Sequence, residues 1–98
     1  MTLQRDPEYN EIKSLRKFAN FTGKRVLEIG SGEGRLTWQY AKWTDMLSAV
    51  DADTNALRVA KVDRPDNLEH IVLLTAADSS SLPYPKERFD IAILAWSL

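Results

Sequence analysis

Three of the chain's four glycines fall within five residues, Gly30-Ser31-Gly32-Glu33-Gly34, in the stretch VLEIGSGEGRLT. Glycine tolerates positive φ and lets a ligand approach the backbone. The spacing is G-x-G-x-G. A nicotinamide or flavin fingerprint is G-x-G-x-x-G, and Arg35 stands where its third glycine belongs. Acids surround the turn: Glu28 just before it, Glu33 within it, and Asp51 about 20 residues past Gly30. An acid at that distance, at a strand end, suits a ribose diol, because a carboxylate accepts two hydroxyl hydrogen bonds. Asp53 competes for that role, but its position before Thr54 suits a helix cap. A further acid, Asp78, lies with Ser79 in the loop ADSSSLPYPKERFD. A carboxylate there could accept from an adenine amino group while the next N–H donates to a ring nitrogen. Asp and Ser are also ordinary turn residues.

Charge separates the candidate ligands. A pyrophosphate would sit at the start of the following helix, where Glu33 and Glu28 would repel it. Two carboxylates suit a sulfonium and an ammonium instead, and S-adenosyl-L-methionine carries both. Glu33 also reads as a solvent-facing acid in the first helical turn, so Glu28 carries most of this inference.

The elements that must position these residues are legible from periodicity. Asp6-Pro7-Glu8 reads as a helix start, and Ile12, Leu15 and Phe18 continue at helical spacing to about Phe21. Thr22-Gly23 ends that helix. Strands are expected at Arg25 to Ile29, Met46 to Val50, Leu68 to Thr75 and Phe89 to Ala95. Helices are expected from Glu33 to about Trp43 and from Thr54 to about Val62, the second closed before Pro65. The later strands are nearly continuous apolar runs, as in sheets covered on both faces. Their alternation with helices predicts an α/β fold, a Rossmann-like doubly wound parallel sheet. About four strands are expected, in the order 3-2-1-4, with helices on both faces. The expected division is an N-terminal helix, 1–22, and a partial cofactor-binding domain, 23–98.

Three stretches together carry a resemblance: VLEIGSGEGRLT, AVDADTNAL and DSSSLPYPKERFDIAILAWSL. The chain resembles the N-terminal half of class I S-adenosylmethionine-dependent methyltransferases of the small-molecule type, over residues 11 to 98. The resemblance implies that Glu28, Gly30 and Gly32 line the methionine part of the cofactor. It implies that Asp51 holds the ribose with Ala52 against the adenine, and that Asp78 and Ser79 read the adenine edge. Residues near Ala95 and Trp96 would face the sulfonium region. Ser31 stands where the family often has Cys. No catalytic residue is singled out. The implied activity is methyl transfer to a small molecule, and the alternative is a non-catalytic fragment that binds cofactor weakly. A propylamine transferase on the same fold and a nicotinamide-dependent oxidoreductase are weaker alternatives.

The remaining composition narrows the class. With 98 residues the chain holds one domain at most, and 44% hydrophobic with 28% charged residues is a globular balance. A net charge of −1 gives no general attraction to nucleic acid or anionic lipid. Lys13, Arg16, Lys17, Lys24 and Arg25 form one basic cluster, read as a solvated helix face. The absence of cysteine excludes disulfides and thiolate metal sites. The single histidine, His70, is read as structural, in a buried strand or at its entry, with no metal site around it. No signal peptide or membrane span is visible, so a cytoplasmic location is the default. Trp38 and Trp43 read as packing residues, and Asp90 as structural. The chain stops just after its last apolar strand, which reads as truncation. The far edge of that strand would then be bare, and self-association through it is expected.

Overall fold

The computed structural model describes residues 2–5, 20–78, 80–83 and 88–95. The first element is a short strand, β1 (Thr2–Arg5). β2 (Arg25–Ile29) follows, an apolar run whose middle three residues are buried. A glycine turn leads into a short helix, α1 (Thr37–Tyr40), continued by a 3-10 turn, Ala41–Trp43. β3 (Met46–Asp51) is buried at its four central residues. α2 (Thr54–Asp63) comes next, then a 3-10 turn, Asp66–Leu68, then β4 (Val72–Ala76) and β5 (Ile91–Leu94).

The strands form one sheet in the order β1-β5-β2-β3-β4, every pair parallel. Apart from β1, this is the expected 3-2-1-4 arrangement of a Rossmann-like sheet. β2 lies in the middle, with Glu28 beside Ala49 of β3 and Ile93 of β5. Side chains alternate across the sheet. One face carries the larger core, in which Val26, Leu47, Val72 and Ile93 pack with Leu36 and Tyr40. Phe21 joins it, its ring 4.8 Å from that of Tyr40. The other face carries a smaller cluster of Leu27, Val50, Phe89 and Ala92.

Several expectations are corrected. The last strand was expected to leave a bare edge, and β1 fills it: Thr2 to Arg5 pair in register with Ile91 to Leu94. Among the described residues the sheet therefore has five strands, the expected four with β1 added beside β5. The sequence TLQR shows no alternation that would announce a strand. It becomes one because it lies along an edge that offers backbone partners, and strand preference depends strongly on such context. The expected helix from Pro7 lies outside the described residues up to position 19.

The helix expected from Glu33 begins only at Thr37. Gly32 and Gly34 hold φ of 58° and 90°, which a right-handed helix cannot include. The strand expected from Leu68 begins at Val72. Leu68 N–H donates to Pro65 O at 2.9 Å and Ile71 N–H to Leu68 O at 3.0 Å, so these groups close turns instead of a ladder. His70 is consequently exposed in the turn before β4 rather than buried in a strand.

Candidate functional site

The carboxyl ends of β2, β3 and β4 converge on a cleft of about 320 Å³ lined by Ile29, Gly30, Val50, Asp51, Ala52, Ala77 and Asp78. In open α/β sheets the crevice beyond these strand ends is where ligands bind. The volume lies near the lower end of the range for small-molecule sites.

The glycine turn forms one wall. Gly30 (φ 80°) donates its N–H to Val50 O at 2.8 Å, and Ser31 N–H reaches the same oxygen at 3.2 Å. Gly32 N–H donates to Asp51 Oδ2 at 2.7 Å. The other oxygen, Oδ1, accepts from Asp53 N–H at 2.8 Å. Asp51 thus ties β3 to the glycine turn and to the start of the next loop. A carboxylate has about four lone-pair sites, and these bonds use two, so acceptor capacity remains on the half-buried Asp51. Asp53 caps α2, its Oδ1 accepting from Asn55 and Ala56 N–H at 3.0 Å each. Asp51 lines the cleft, and Asp53 caps α2.

Gly34 serves a different purpose. A Cβ built there would lie 2.6 Å from Trp38 Cε2, so the missing side chain makes room for the indole. Of the three clustered glycines, Gly30 lines the cleft, Gly32 bonds its acid, and Gly34 lets α1 pack back on the turn.

Asp78 forms the opposite wall. Its Oδ1 accepts from Ser80 N–H at 2.9 Å and from Ser80 Oγ at 2.8 Å. These bonds favour the charged form and hold its carboxyl below the usual aspartate range. Ala77 N–H donates to Asp51 O at 3.1 Å, which fixes the two walls relative to one another. Ala95 N–H donates to Ile29 O at 2.8 Å, so the exit of β5 meets the glycine turn.

Of the expected site residues, Gly30, Asp51, Ala52 and Asp78 come together at the cleft, and Gly32 touches it through Asp51. Ser79 and Trp96 lie outside the described residues. Glu28 is placed differently. It is fully buried on the larger core face, and its Oε1 accepts from Thr37 Oγ1 at 2.7 Å and Tyr40 O–H at 3.0 Å. Burial and the neighbouring Glu28 push the Tyr40 phenol well above its ordinary range, so it remains a donor. The sequence alone did not mark Thr37 or Tyr40 as donors to Glu28. The available signal was an acid inside an apolar strand, which requires donors, with hydroxyls nine and twelve positions on.

The methyltransferase domain family matches residues 26–98. The chain belongs to the class I S-adenosylmethionine-dependent methyltransferases. Among curated methyltransferases, it is 30% identical over 94 residues to the ubiquinone/menaquinone biosynthesis C-methyltransferase UbiE of Azotobacter vinelandii, covering 90% of this chain and 34% of that protein. It is 31% identical over 78 residues to a protein arginine N-methyltransferase of Arabidopsis thaliana, covering 79% of this chain and 20% of that protein. The chain thus spans about a third of the length of the first of these relatives and a fifth of the second. The crystal structure of the YcgJ protein of a Bacillus species superposes with a TM-score of 0.73 at 27% identity, over 82% of this chain and 35% of that one. The match begins within β2, so the methyltransferase portion includes the glycine turn, Asp51 and Asp78, while β1 lies outside it.

Proposed function

We propose that the cleft holds the adenosine part of S-adenosylmethionine and that this methyltransferase domain serves transfer of the cofactor's methyl group to a small molecule. The observation that carries this reading is the Asp51 carboxylate, anchored by two backbone N–H groups at the cleft with acceptor capacity to spare. Asp51 would take the two ribose hydroxyls, Ala52 would pack on the adenine, and Asp78 with Ser79 would meet its amino edge. Gly30 gives close backbone approach on the methionine side. The bound sulfonium supplies an already activated methyl group, and the domain's contribution is to fix its position.

Support for a small-molecule acceptor comes from the similarity to UbiE, named for C-methylation in quinone biosynthesis. The two relatives are named for methylation of arginine nitrogen and of carbon. Calorimetric titration with S-adenosylhomocysteine and, separately, with NAD tests the cofactor assignment. Binding of the first and not the second is expected. Tight NAD binding without S-adenosylhomocysteine binding would sink it.

A further inference from the structure

Glu28 is an expensive residue to bury. Its strand neighbours Val26, Leu27 and Ile29 are all apolar, and a leucine would fill the same strand position without desolvating a carboxyl group. Replacing buried polar groups by well-packed apolar ones is often neutral or stabilising. Hydrogen bonds to such a buried group instead select one arrangement of the parts they join.

The parts joined here are the two ends of the glycine turn. Glu28 precedes Gly30 by two residues, and Thr37 is the first residue of α1, directly after the turn. Tyr40 is the last residue of the same helix. Glu28, Thr37 and Tyr40 are all fully buried. Between the two ends lie three glycines of positive φ, each costly in backbone entropy to fix. Among the described residues, the interior of the turn is held by Gly30 and Ser31 N–H to Val50 O, Ser31 Oγ to the same oxygen at 3.5 Å, Gly32 N–H to Asp51, Gly34 N–H to Ser31 O at 3.1 Å and Trp38 N–H to Gly34 O at 3.0 Å. The Gly32 bond forms only if the turn is held at the right height over β3. Both hydroxyls fasten α1 to β2, and they do so on the core side of the sheet, away from the cleft lining.

We infer that Thr37 and Tyr40 are positioning residues that act through Glu28 to hold the glycine turn in its ligand-ready form before any ligand arrives. Their effect reaches the cleft through the turn's backbone, and so through the Gly32–Asp51 bond. The inference builds on the cofactor reading for its affinity consequence, but the state of the turn is measurable without ligand.

The test uses Tyr40→Phe, which keeps the ring, Thr37→Val, which keeps the shape, and Thr37→Ser, which keeps the hydroxyl. Amide hydrogen exchange of Gly32 and Gly34 is followed in the ligand-free protein, with Ala49 and Val50 of β3 as the core reference. Losing one donor to a buried carboxyl group should accelerate the two glycine amides about tenfold relative to the reference amides. Affinity for S-adenosylhomocysteine should fall by a similar factor in both variants. Thr37→Ser should keep wild-type exchange and affinity. If exchange rises by the same factor at the turn and in β3, the hydroxyls serve global stability only and the inference is overturned. Unchanged exchange at the turn in Thr37→Val or in Tyr40→Phe also overturns it. A wild-type protein that does not bind S-adenosylhomocysteine would refute the cofactor assignment and leave the exchange comparison to decide this one.

Discussion

At the scale of single residues, Asp51 and Asp53 show how two acids two positions apart come to different uses. Asp51 ends β3 and lines the cleft, while the Oδ1 of Asp53 is taken by the first N–H groups of α2. Two charge-assisted bonds to a ribose are each worth roughly 1.5–3 kcal/mol. Asp51→Ala is therefore expected to weaken S-adenosylhomocysteine binding by about 100-fold or more. Asp53→Ala should leave affinity nearly unchanged and lower unfolding stability by roughly 0.5–2 kcal/mol through loss of the cap. Titration and urea unfolding of the two variants check this, and the reverse ranking of affinities would mean that the wrong acid had been chosen. Glycines separate in the same manner. Gly34→Ala must displace the Trp38 indole and also adopt φ of 90°, whereas a Cβ at Gly23 (φ 70°) meets nothing within 4 Å. Overpacking costs roughly 1–3 kcal/mol, so Gly34→Ala should destabilise the fold by more than Gly23→Ala does. Equal losses in denaturant unfolding would show that the indole yields freely.

Between elements, the starts of β2 and β5 are clamped by one ion pair. Arg25 Nε lies 3.3 Å from Asp90 Oδ2 and Nη2 lies 3.3 Å from Oδ1. Arg25 N–H also donates to Oδ2 at 2.9 Å, and Asp90 N–H returns a bond to Arg25 O at 2.8 Å. Asp90, expected to be structural, is the pin that sets the parallel register of these strands at their entry. The Arg25 hydrogen bonds hold the Asp90 carboxyl below its ordinary range. A depressed folded-state pKa means that the stabilisation is fully present above the unfolded-state value. It is lost as pH falls through the folded-state value. Both side chains are about two-fifths exposed (44% and 39%), so solvent and salt reduce the effect. Asp90→Asn should therefore flatten the acid limb of the stability curve below about pH 4 while costing less in high salt. An acid limb identical to wild type would show that the pair contributes nothing to folding.

For the molecule as a whole, β1 decides how the sheet ends. It lies along β5 and gives Ile91 to Leu94 a backbone partner. Unpaired strand edges recruit other chains. Removing residues 1–5 should therefore increase self-association and speed amide exchange across Ile91 to Leu94, measured by light scattering and by exchange against the intact chain. Equal association of the two chains would show that β1 contributes no edge protection. At the other end of the sheet, β4 is the outer strand, and Leu73 on it is 54% exposed. No helix among the described residues is long and apolar enough to cross a membrane.

What the sequence determined by itself was local. Continuous apolar runs located β2, β3 and β5 to within a residue or two, because strands covered on both faces admit few polar side chains. Asp53 announced the start of α2, since capping is settled by the next three residues. The glycine spacing and the distance to Asp51 located the cleft, because backbone freedom and strand length are properties of short segments. Tertiary structure decided what depended on distant partners. Thr2 to Arg5 is a strand because β5, some ninety positions later, offers an edge. Glu28 faces the core rather than the cleft because Thr37 and Tyr40 donate to it there. Gly34 is small on account of Trp38, four residues on, whose direction follows from where α1 packs. Periodicity reports which residues can share a face; it does not report which neighbour will occupy the space opposite, and that choice is made only when all elements compete for the same edges and the same interior.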